Sequence, residues 1–181
     1  MWQQENQKLV VNKISEILDA TDPTYAEKMT EMFDGAKRIF ISGAGRSKLV
    51  GNFLGMRLMH SGYDVSMVGE IVTPSIREGD LLIIISGSGE TEQLIAFTKK
   101  AKSVGAKIIL ICSKSSSTIG DMADGVFQIG SDESYSAVKG MPMGTCFELS
   151  TLCFLEALVA HLIWEKGIPE EEMRFRHANM E

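Results

Sequence analysis

The clearest chemistry in the sequence lies between Ile83 and Glu92, where an apolar run opens directly into glycines and hydroxyl side chains, IIISGSGETE. Glycine lets an anion approach the backbone, and serine and threonine hydroxyls donate hydrogen bonds to it. A helix is expected to begin at once, so its unpaired N–H groups would face the same point. One hydroxyl alone would serve equally well as a helix cap, but the group as a whole favours anion binding. The predicted phosphate cradle comprises Ser86, Gly87, Ser88, Gly89, Glu90 and Thr91.

A second turn of the same kind runs from Ile39 to Ser47 and reads IFISGAGRS, with Ser42 at the end of its apolar run. Two such strand-to-helix turns suggest one shared pocket. Neither is a dinucleotide-binding fingerprint, because Lys48 and Glu92 stand where that motif needs its third glycine. The sequence also has no G-x-x-x-x-G-K-[ST] loop for nucleoside triphosphates. We therefore expect the ligand to be a small phosphorylated metabolite.

Glu148 is the best candidate for a general base, since it stands at the start of a long apolar helix. A carboxylate in that place can project from a rigid element into a pocket. It also completes a T-x-x-E capping box with Thr145, in which Glu148 would bond back to the N-cap amide. Spacing alone leaves both roles open. The preceding loop, residues 130–144, would serve either as a lid or as a surface excursion.

His177 lies near the carboxyl terminus, where segments are often frayed, in the stretch RFRHANME. An imidazole that titrates near neutral pH is nevertheless suited to moving protons between sugar oxygens. His60, His161 and His177 are far apart in the sequence and form no H-E-x-x-H pattern, so no metal site is expected. The serines are poor hydrolase nucleophiles because the sequence has no G-x-S-x-G elbow. Catalysis would then be acid–base chemistry.

Composition narrows the class of protein. The 181 residues are 44% hydrophobic and contain no linker-like segment, which predicts a single domain over residues 1–181. A net charge of -6 and a pI near 5.2 argue against binding to nucleic acid or to an anionic membrane surface. No secretory signal is recognisable, so a cytoplasmic location is expected. Three cysteines without a C-x-x-C pair are expected to be reduced and buried: Cys112, Cys146 and Cys153.

The longest apolar run, residues 146–164, approaches the length of a membrane span. It carries Glu148, Glu156 and His161, which lie too deep in the run for an undisturbed span. A helix that is apolar all round is better explained by burial in an oligomer interface. We therefore expect a homo-oligomer and no membrane association.

The elements that would position these residues follow an α/β pattern. A helical region at about 1–34, broken at Asp22-Pro23, precedes five short apolar runs separated by helices or turns. This pattern predicts a doubly wound, five-stranded, mostly parallel sheet flanked by helices, with further helices at about 145–178. Ligands of such sheets bind beyond the carboxyl ends of the strands. The predicted strands are Arg38–Ser42, Val65–Val68, Leu81–Ser86, Lys107–Cys112 and Val126–Ile129.

The two turns, SGAGRS and SGSGET, resemble those of the sugar isomerase (SIS) domain family in their order and placement, and the resemblance covers nearly the whole chain. Two later motifs, PMGTCFE at Pro142–Glu148 and RHANME at Arg176–Glu181, are similar to those of one group in the family, the 6-phospho-3-hexuloisomerases. By that resemblance, Ser42 and the SGSGET turn hold the phosphate and Arg46 is a charge partner. Glu148 matches the catalytic base and His177 a helper in proton transfer, acting within one subunit or across a subunit boundary.

The same resemblance implies an activity and partners. Members of this group interconvert 6-phospho-3-hexulose and fructose 6-phosphate in the ribulose monophosphate pathway of formaldehyde assimilation. They follow hexulose-phosphate synthase, the aldolase that adds formaldehyde to ribulose 5-phosphate. No metal or organic cofactor is implied, and the subunits commonly form homotetramers.

Two alternatives to this activity stay open from the sequence. One is another SIS isomerase, acting on arabinose 5-phosphate or sedoheptulose 7-phosphate. The other is a non-catalytic sugar-phosphate sensor, which would keep the phosphate turns but need no base. The presence of Glu148 and His177 favours an enzyme.

Overall fold

Parallel pairing of five short strands determines the architecture. In the computed structural model, which describes residues 2–180, every pair of neighbouring strands is parallel and the order across the sheet is β2-β1-β3-β4-β5. The predicted five-stranded sheet is confirmed, and each predicted strand boundary is correct to within one residue. Met1 and Glu181, the ends of the predicted domain, lie outside the described residues. The strands are β1 (Ile39–Gly43), β2 (Val65–Met67), β3 (Leu81–Ile85), β4 (Lys107–Cys112) and β5 (Gly125–Gln128).

The described residues also form six α-helices. The predicted break at Asp22-Pro23 is confirmed, because it separates the first two helices. Loop 130–144 is anchored in part: the Tyr135 hydroxyl donates to the carbonyl of Ile129 at 2.5 Å, and Met141 is buried. The helices are α1 (Trp2–Asp19), α2 (Tyr25–Asp34), α3 (Arg46–His60), α4 (Glu92–Ser103), α5 (Thr145–Lys166) and α6 (Glu170–Arg176).

Side chains that alternate along the strands fill two separate cores. Ile83 and Ile85 of β3 pack on the face covered by α1, α2, α3 and α5, whereas Leu82 and Ile84 pack on the face covered by α4. All residues of β3 are buried, as expected for a central strand that is covered on both sides.

Helix α5 packs against α1, α2 and α3 and buries several of its residues in the first core. Its length and composition alone would also permit a membrane span, a test that core helices of soluble proteins pass as well. The prediction that all three cysteines are buried is wrong for Cys153, which is exposed on α5. A helix that is apolar all round has no polar stripe to indicate which side faces solvent.

A buried ion pair joins the amino-terminal ends of the neighbouring strands β1 and β3. Asp80, only 2% exposed, accepts hydrogen bonds from Arg38 Nε at 3.1 Å, Arg38 Nη2 at 2.7 Å and the amide of Arg77 at 2.8 Å. One strand further along, Lys107 and Asp124 form a more exposed pair with an N–O distance of 3.2 Å. These contacts lie at the sheet edge opposite the two glycine-serine turns.

We expect Asp80→Ala to lower the free energy of unfolding by about 3 kcal/mol, because it leaves the Arg38 guanidinium and a backbone amide without their buried acceptor. Urea denaturation provides the measurement. The matched control is Lys107→Ala at the same edge, whose exposed pair should contribute less than about 1 kcal/mol. Equal losses in the two variants would contradict the structural role of Asp80.

Candidate active site

The strand order brings the two glycine-serine turns together. Strands β1 and β3 are neighbours, with Ser42 opposite Ile84 and Gly43 opposite Ile85. The chain leaves β1 for β2 on one side of the sheet and β3 for β4 on the other. The crevice outside such a reversal of strand order is the usual ligand site of an open parallel sheet.

The first turn is too tight for a side chain at its centre. A Cβ atom on Gly43 would lie 2.9 Å from the backbone nitrogen of Lys48, so a larger residue would push α3 away from the sheet. Gly45 adopts φ 55°, which favours glycine, and α3 begins at the next residue, Arg46. Ser42 is buried at the end of β1. The amino terminus of α3 therefore faces the crevice with Arg46 at its tip.

Hydrogen bonds within the second turn arrange its hydroxyls. The buried Ser86 Oγ accepts from the amide of Gly89 at 3.2 Å, and Ser88 Oγ accepts from the amide of Glu90 at 3.2 Å. Each hydroxyl therefore keeps its proton for another acceptor. Thr91 is the N-cap residue of α4, but its side chain makes no capping hydrogen bond. The turn thus brings three hydroxyl groups to the amino terminus of α4, where the first-turn amides of the helix have no intrahelical acceptor.

Glu90 is turned away from this arrangement. Its carboxylate accepts from the amide and the hydroxyl of Thr118, both at 2.7 Å. The Thr118 hydroxyl, followed by the Thr118 amide, lowers the pKa of Glu90 below its ordinary value. Its side chain therefore points to the loop after β4, so a direct contribution of Glu90 to the predicted cradle would come from its backbone.

Glu148 reaches the first turn from α5. Its Oε2 accepts from Arg46 Nε, and the Glu148 side chain is 14% exposed. The neighbouring residue, Phe147, packs against the second turn, because a Cβ on Gly87 would lie 3.1 Å from its ring. The start of α5 thus touches both turns. Arg46, Glu148 and nearby apolar side chains line a small cleft of about 140 Å³, which includes Leu49 and Phe53.

Of the two roles that spacing left open for Glu148, the structure excludes the capping box with Thr145. The N-cap residue is Gly144, Thr145 is the first helical residue, and its hydroxyl donates to the carbonyl of Pro142 at 2.7 Å. Glu148 pairs with Arg46 because an opposite charge is available there, which local spacing does not reveal. The helix start therefore does not account for this carboxylate.

His177 is not part of this cluster within one chain. It stacks on His60, with ring centroids 5.1 Å apart, at the carboxyl end of α3. Arg176 fixes the segment by donating to the carbonyl of His60 at 3.2 Å. Arg46 and Glu148 lie at the other end of this 15-residue helix, which is roughly 20 Å long at the usual rise per residue. Glu181, the last residue of the RHANME motif, lies outside the described residues.

Sequence reasoning overlooked two contributors to the site: Phe147, which packs on the second turn, and the loop after β4, which bonds to it. The loop contains the run SKSSST at residues 113–118, and its position at the carboxyl end of a central strand was a usable signal. A cavity of about 670 Å³ lies at the amino-terminal ends of the strands, near Glu78 and Asp80, away from both turns. Within residues 2–180, no group of three or more His, Cys, Asp or Glu side chains is placed to hold a metal ion.

Comparison with known proteins agrees with this geometry. The model of the SIS domain matches residues 32–158, which include both turns and Glu148. The chain belongs to the SIS domain family. Within this SIS domain, β1, α3, β3 and α4 supply the turns, and the segment outside the matched range contains His177.

Relatives of this SIS domain extend over nearly its whole length. It is 54% identical over 177 residues to 3-hexulose-6-phosphate isomerase of Methylomonas aminofaciens, covering 97% of this chain and 98% of that protein. It is 41% identical to 3-hexulose-6-phosphate isomerase of Bacillus subtilis, covering 86% of each chain. A crystal structure of a Methanococcus jannaschii protein superposes with a TM-score of 0.87 at 35% identity, over 98% of this chain and 99% of that one. That structure infers a molecular function of 3-hexulose-6-phosphate isomerase for its protein.

We expect the double variant Ser86→Ala with Thr91→Ala to raise the Kd for inorganic phosphate at least about tenfold, because each hydroxyl donates to a charged ligand. Isothermal titration calorimetry measures this Kd directly. Ser103→Ala is the control, since its hydroxyl bonds to the carbonyl of Lys100 at the far end of α4. An unchanged Kd in the double variant would remove the hydroxyls from the cradle.

Proposed function

We propose that the protein is a sugar-phosphate isomerase that interconverts 6-phospho-3-hexulose and fructose 6-phosphate through a 2,3-enediol or enediolate. The observation that carries this proposal is that α5 contacts both phosphate-type turns and places Glu148 beside Arg46. The near-full-length identity to enzymes named 3-hexulose-6-phosphate isomerase supports the choice of substrate.

The cradle sets the position of the sugar in this proposal. The phosphate on O6 binds the hydroxyls of Ser86, Ser88 and Thr91 and the first-turn amides of α4, and Ser42 lines the adjoining turn. An anion held three carbons from the nearer reacting centre fixes the register of C2 and C3. With the carbonyl at C3 and the phosphate on O6, no free hydroxyl closes a normal five- or six-membered ring. The substrate therefore enters in its open-chain form.

Glu148 then acts as the base. Its carboxylate removes the proton from C2, and the C–H electron pair forms the C2–C3 double bond while O3 accepts a proton. The hydroxyl on C2 next loses its proton, the C2 carbonyl forms, and C3 receives the proton carried by Glu148. Arg46 bonds to Oε2 and fixes the orientation of the carboxylate, which leaves Oε1 as the proton acceptor. We assign to the same guanidinium the stabilisation of the negative charge that develops on the enediolate.

We assign the proton transfers between O2 and O3 to His177 of a second subunit. Helix α3 carries an apolar stripe of Leu49, Phe53 and Met56, which are 60%, 56% and 51% exposed in one chain. A two-fold axis near Phe53, the middle residue of α3, would cover this stripe with its own copy. If the two helices run antiparallel, that axis places the partner's histidine end of α3 beside Arg46 and Glu148.

Assembly and cellular context follow from this proposal. The exposed stripe of α3 supports a homo-oligomer, for which we propose a tetramer. We place the enzyme in the cytoplasm, in the ribulose monophosphate pathway, where hexulose-phosphate synthase supplies its substrate. The reaction as written needs no metal or organic cofactor, because a carboxylate and an imidazole carry all of its protons.

Hydrogen exchange in heavy water tests the proposed reaction. With fructose 6-phosphate as substrate, we expect NMR to show deuterium at C3 of fructose 6-phosphate and at C2 of the 6-phospho-3-hexulose formed. An isomerase that converts the ketose to an aldose would label C1 instead, and a sensor would bind without exchange. Glu148→Gln should lower exchange and turnover at least about 10²-fold while phosphate binding persists. Turnover near that of the unmodified enzyme would overturn the assignment of Glu148.

Gly144→Ala probes the position of the same carboxylate without removing it. A Cβ there would lie 2.6 Å from Glu148 Oε1, so the flexible carboxylate should move aside while the helix start is retained. This variant should therefore lose activity with little change in melting temperature.

Subunit complementation tests the assignment of His177. Glu148→Gln and His177→Ala are expected to be inactive alone, whereas their co-expression should restore up to about a quarter of the normal turnover. Half of randomly formed dimers combine the two variants, and each such dimer has one complete site. The controls are co-expressions in which both copies of the chain carry the same substitution. No recovery would show that the two residues do not act from different subunits.

A further inference from the structure

The second turn is fastened to the loop after β4 by hydrogen bonds at three successive points. Ser113 donates to the carbonyl of Gly87 from its hydroxyl at 2.8 Å and from its amide at 3.0 Å. The amide of Ile119 donates to the carbonyl of Gly89 at 3.2 Å. Thr118 donates from its amide and its hydroxyl to the Glu90 carboxylate, each at 2.7 Å. We call this set of contacts the clasp.

The clasp determines the direction of the backbone groups in the turn. The C=O and N–H groups of one trans peptide point in opposite directions. The carbonyl of Gly87 points toward β4, where Ser113 lies, so the amide of Ser88 points the other way, toward β1. The crevice between β3 and β1 lies on that side. The clasp therefore turns the Ser88 N–H away from β4 and toward the side of the turn on which the predicted phosphate site lies.

The position of Glu90 is otherwise hard to explain. A carboxylate next to a phosphate site weakens phosphate binding by Coulomb repulsion. A second role is therefore needed to explain why Glu90 stands there. Here it is ionised, since its hydrogen bonds from Thr118 lower its pKa. The Glu90 side chain joins the turn after β3 to the loop after β4. Gly89, the residue before it in the turn, adopts φ 65°, which favours glycine.

We propose that Glu90, Thr118 and Ser113 are positioning residues, which hold the second turn in its anion-binding conformation without touching the ligand. The proposal deepens the phosphate-binding part of the proposed function and rests on it. It reassigns Glu90 from the cradle to the support of the cradle. It also gives the serine-rich run after β4 a purpose, because Ser113 and Thr118 belong to it.

Binding of inorganic phosphate, measured by isothermal titration calorimetry, tests the clasp separately from isomerase chemistry. We expect Glu90→Ala and Thr118→Val each to raise the phosphate Kd about fivefold to tenfold, because the turn loses hydrogen bonds to a charged group. Thr118→Ser, which retains a hydroxyl, should bind phosphate like the unmodified protein. Ser115→Ala is the matched control in the same loop, since its hydroxyl bonds to Asp132 and not to the turn.

The sign of the Glu90→Ala effect decides between two explanations. If Glu90 were only a nearby negative charge, its removal would tighten phosphate binding. The clasp predicts that Glu90→Ala binds phosphate more weakly than the unmodified protein. It also predicts that the double variant Glu90→Ala with Thr118→Val has a phosphate Kd no higher than that of the single variant with the higher Kd. Tighter binding in Glu90→Ala, or an unchanged Kd in Thr118→Val, would overturn the proposal. If the variants change the phosphate Kd as the clasp predicts but the unmodified protein shows no hydrogen exchange at C3, only the proposed reaction is overturned.

Discussion

The parallel pairing of β1 with β3 is the contact on which the site depends. Because the chain turns to opposite sides of the sheet after these two strands, their carboxyl ends open into one crevice. Both strands are followed by glycine turns and helix amino termini, so two sets of donors converge there. Helix amino termini are favourable places for an anion, so the proposed phosphate site does not require a basic surface on this acidic chain.

The fold was predictable because its determinants are local. Short, almost wholly apolar runs indicated buried parallel strands. Glycines with positive φ angles follow α3 and α4, at Gly62 and Gly105, so these helix ends are also determined locally. The two turns of the candidate site were also visible, since strand, glycine and hydroxyl are adjacent in the sequence. The doubly wound sheet required no information about distant contacts beyond the strand count and the right-handedness of crossovers.

The errors arise where a distant residue decides the outcome. Thr145 and Glu148 have the spacing of a capping box, but Arg46 lies 102 residues away in the sequence and binds the carboxylate. The predicted burial of Cys153 is wrong because the pattern of a uniformly apolar helix does not show which face is covered in one chain, and Cys153 lies on an exposed face. The stacking of His177 on His60 joins two segments whose proximity no local pattern predicts. Sequence therefore identified the chemical groups better than it identified their partners.

Stability and ligand chemistry occupy opposite edges of the sheet. The buried Asp80 pair secures the amino edge, whereas the turns that face the crevice are built from glycines, hydroxyls and loops. Substitutions at the carboxyl edge can thus alter which sugar is accepted while the anchoring of the strands is left intact. Such a division of labour gives the scaffold evolutionary freedom: new substrate preferences can arise by changing loops, with the folding of the sheet inherited unchanged.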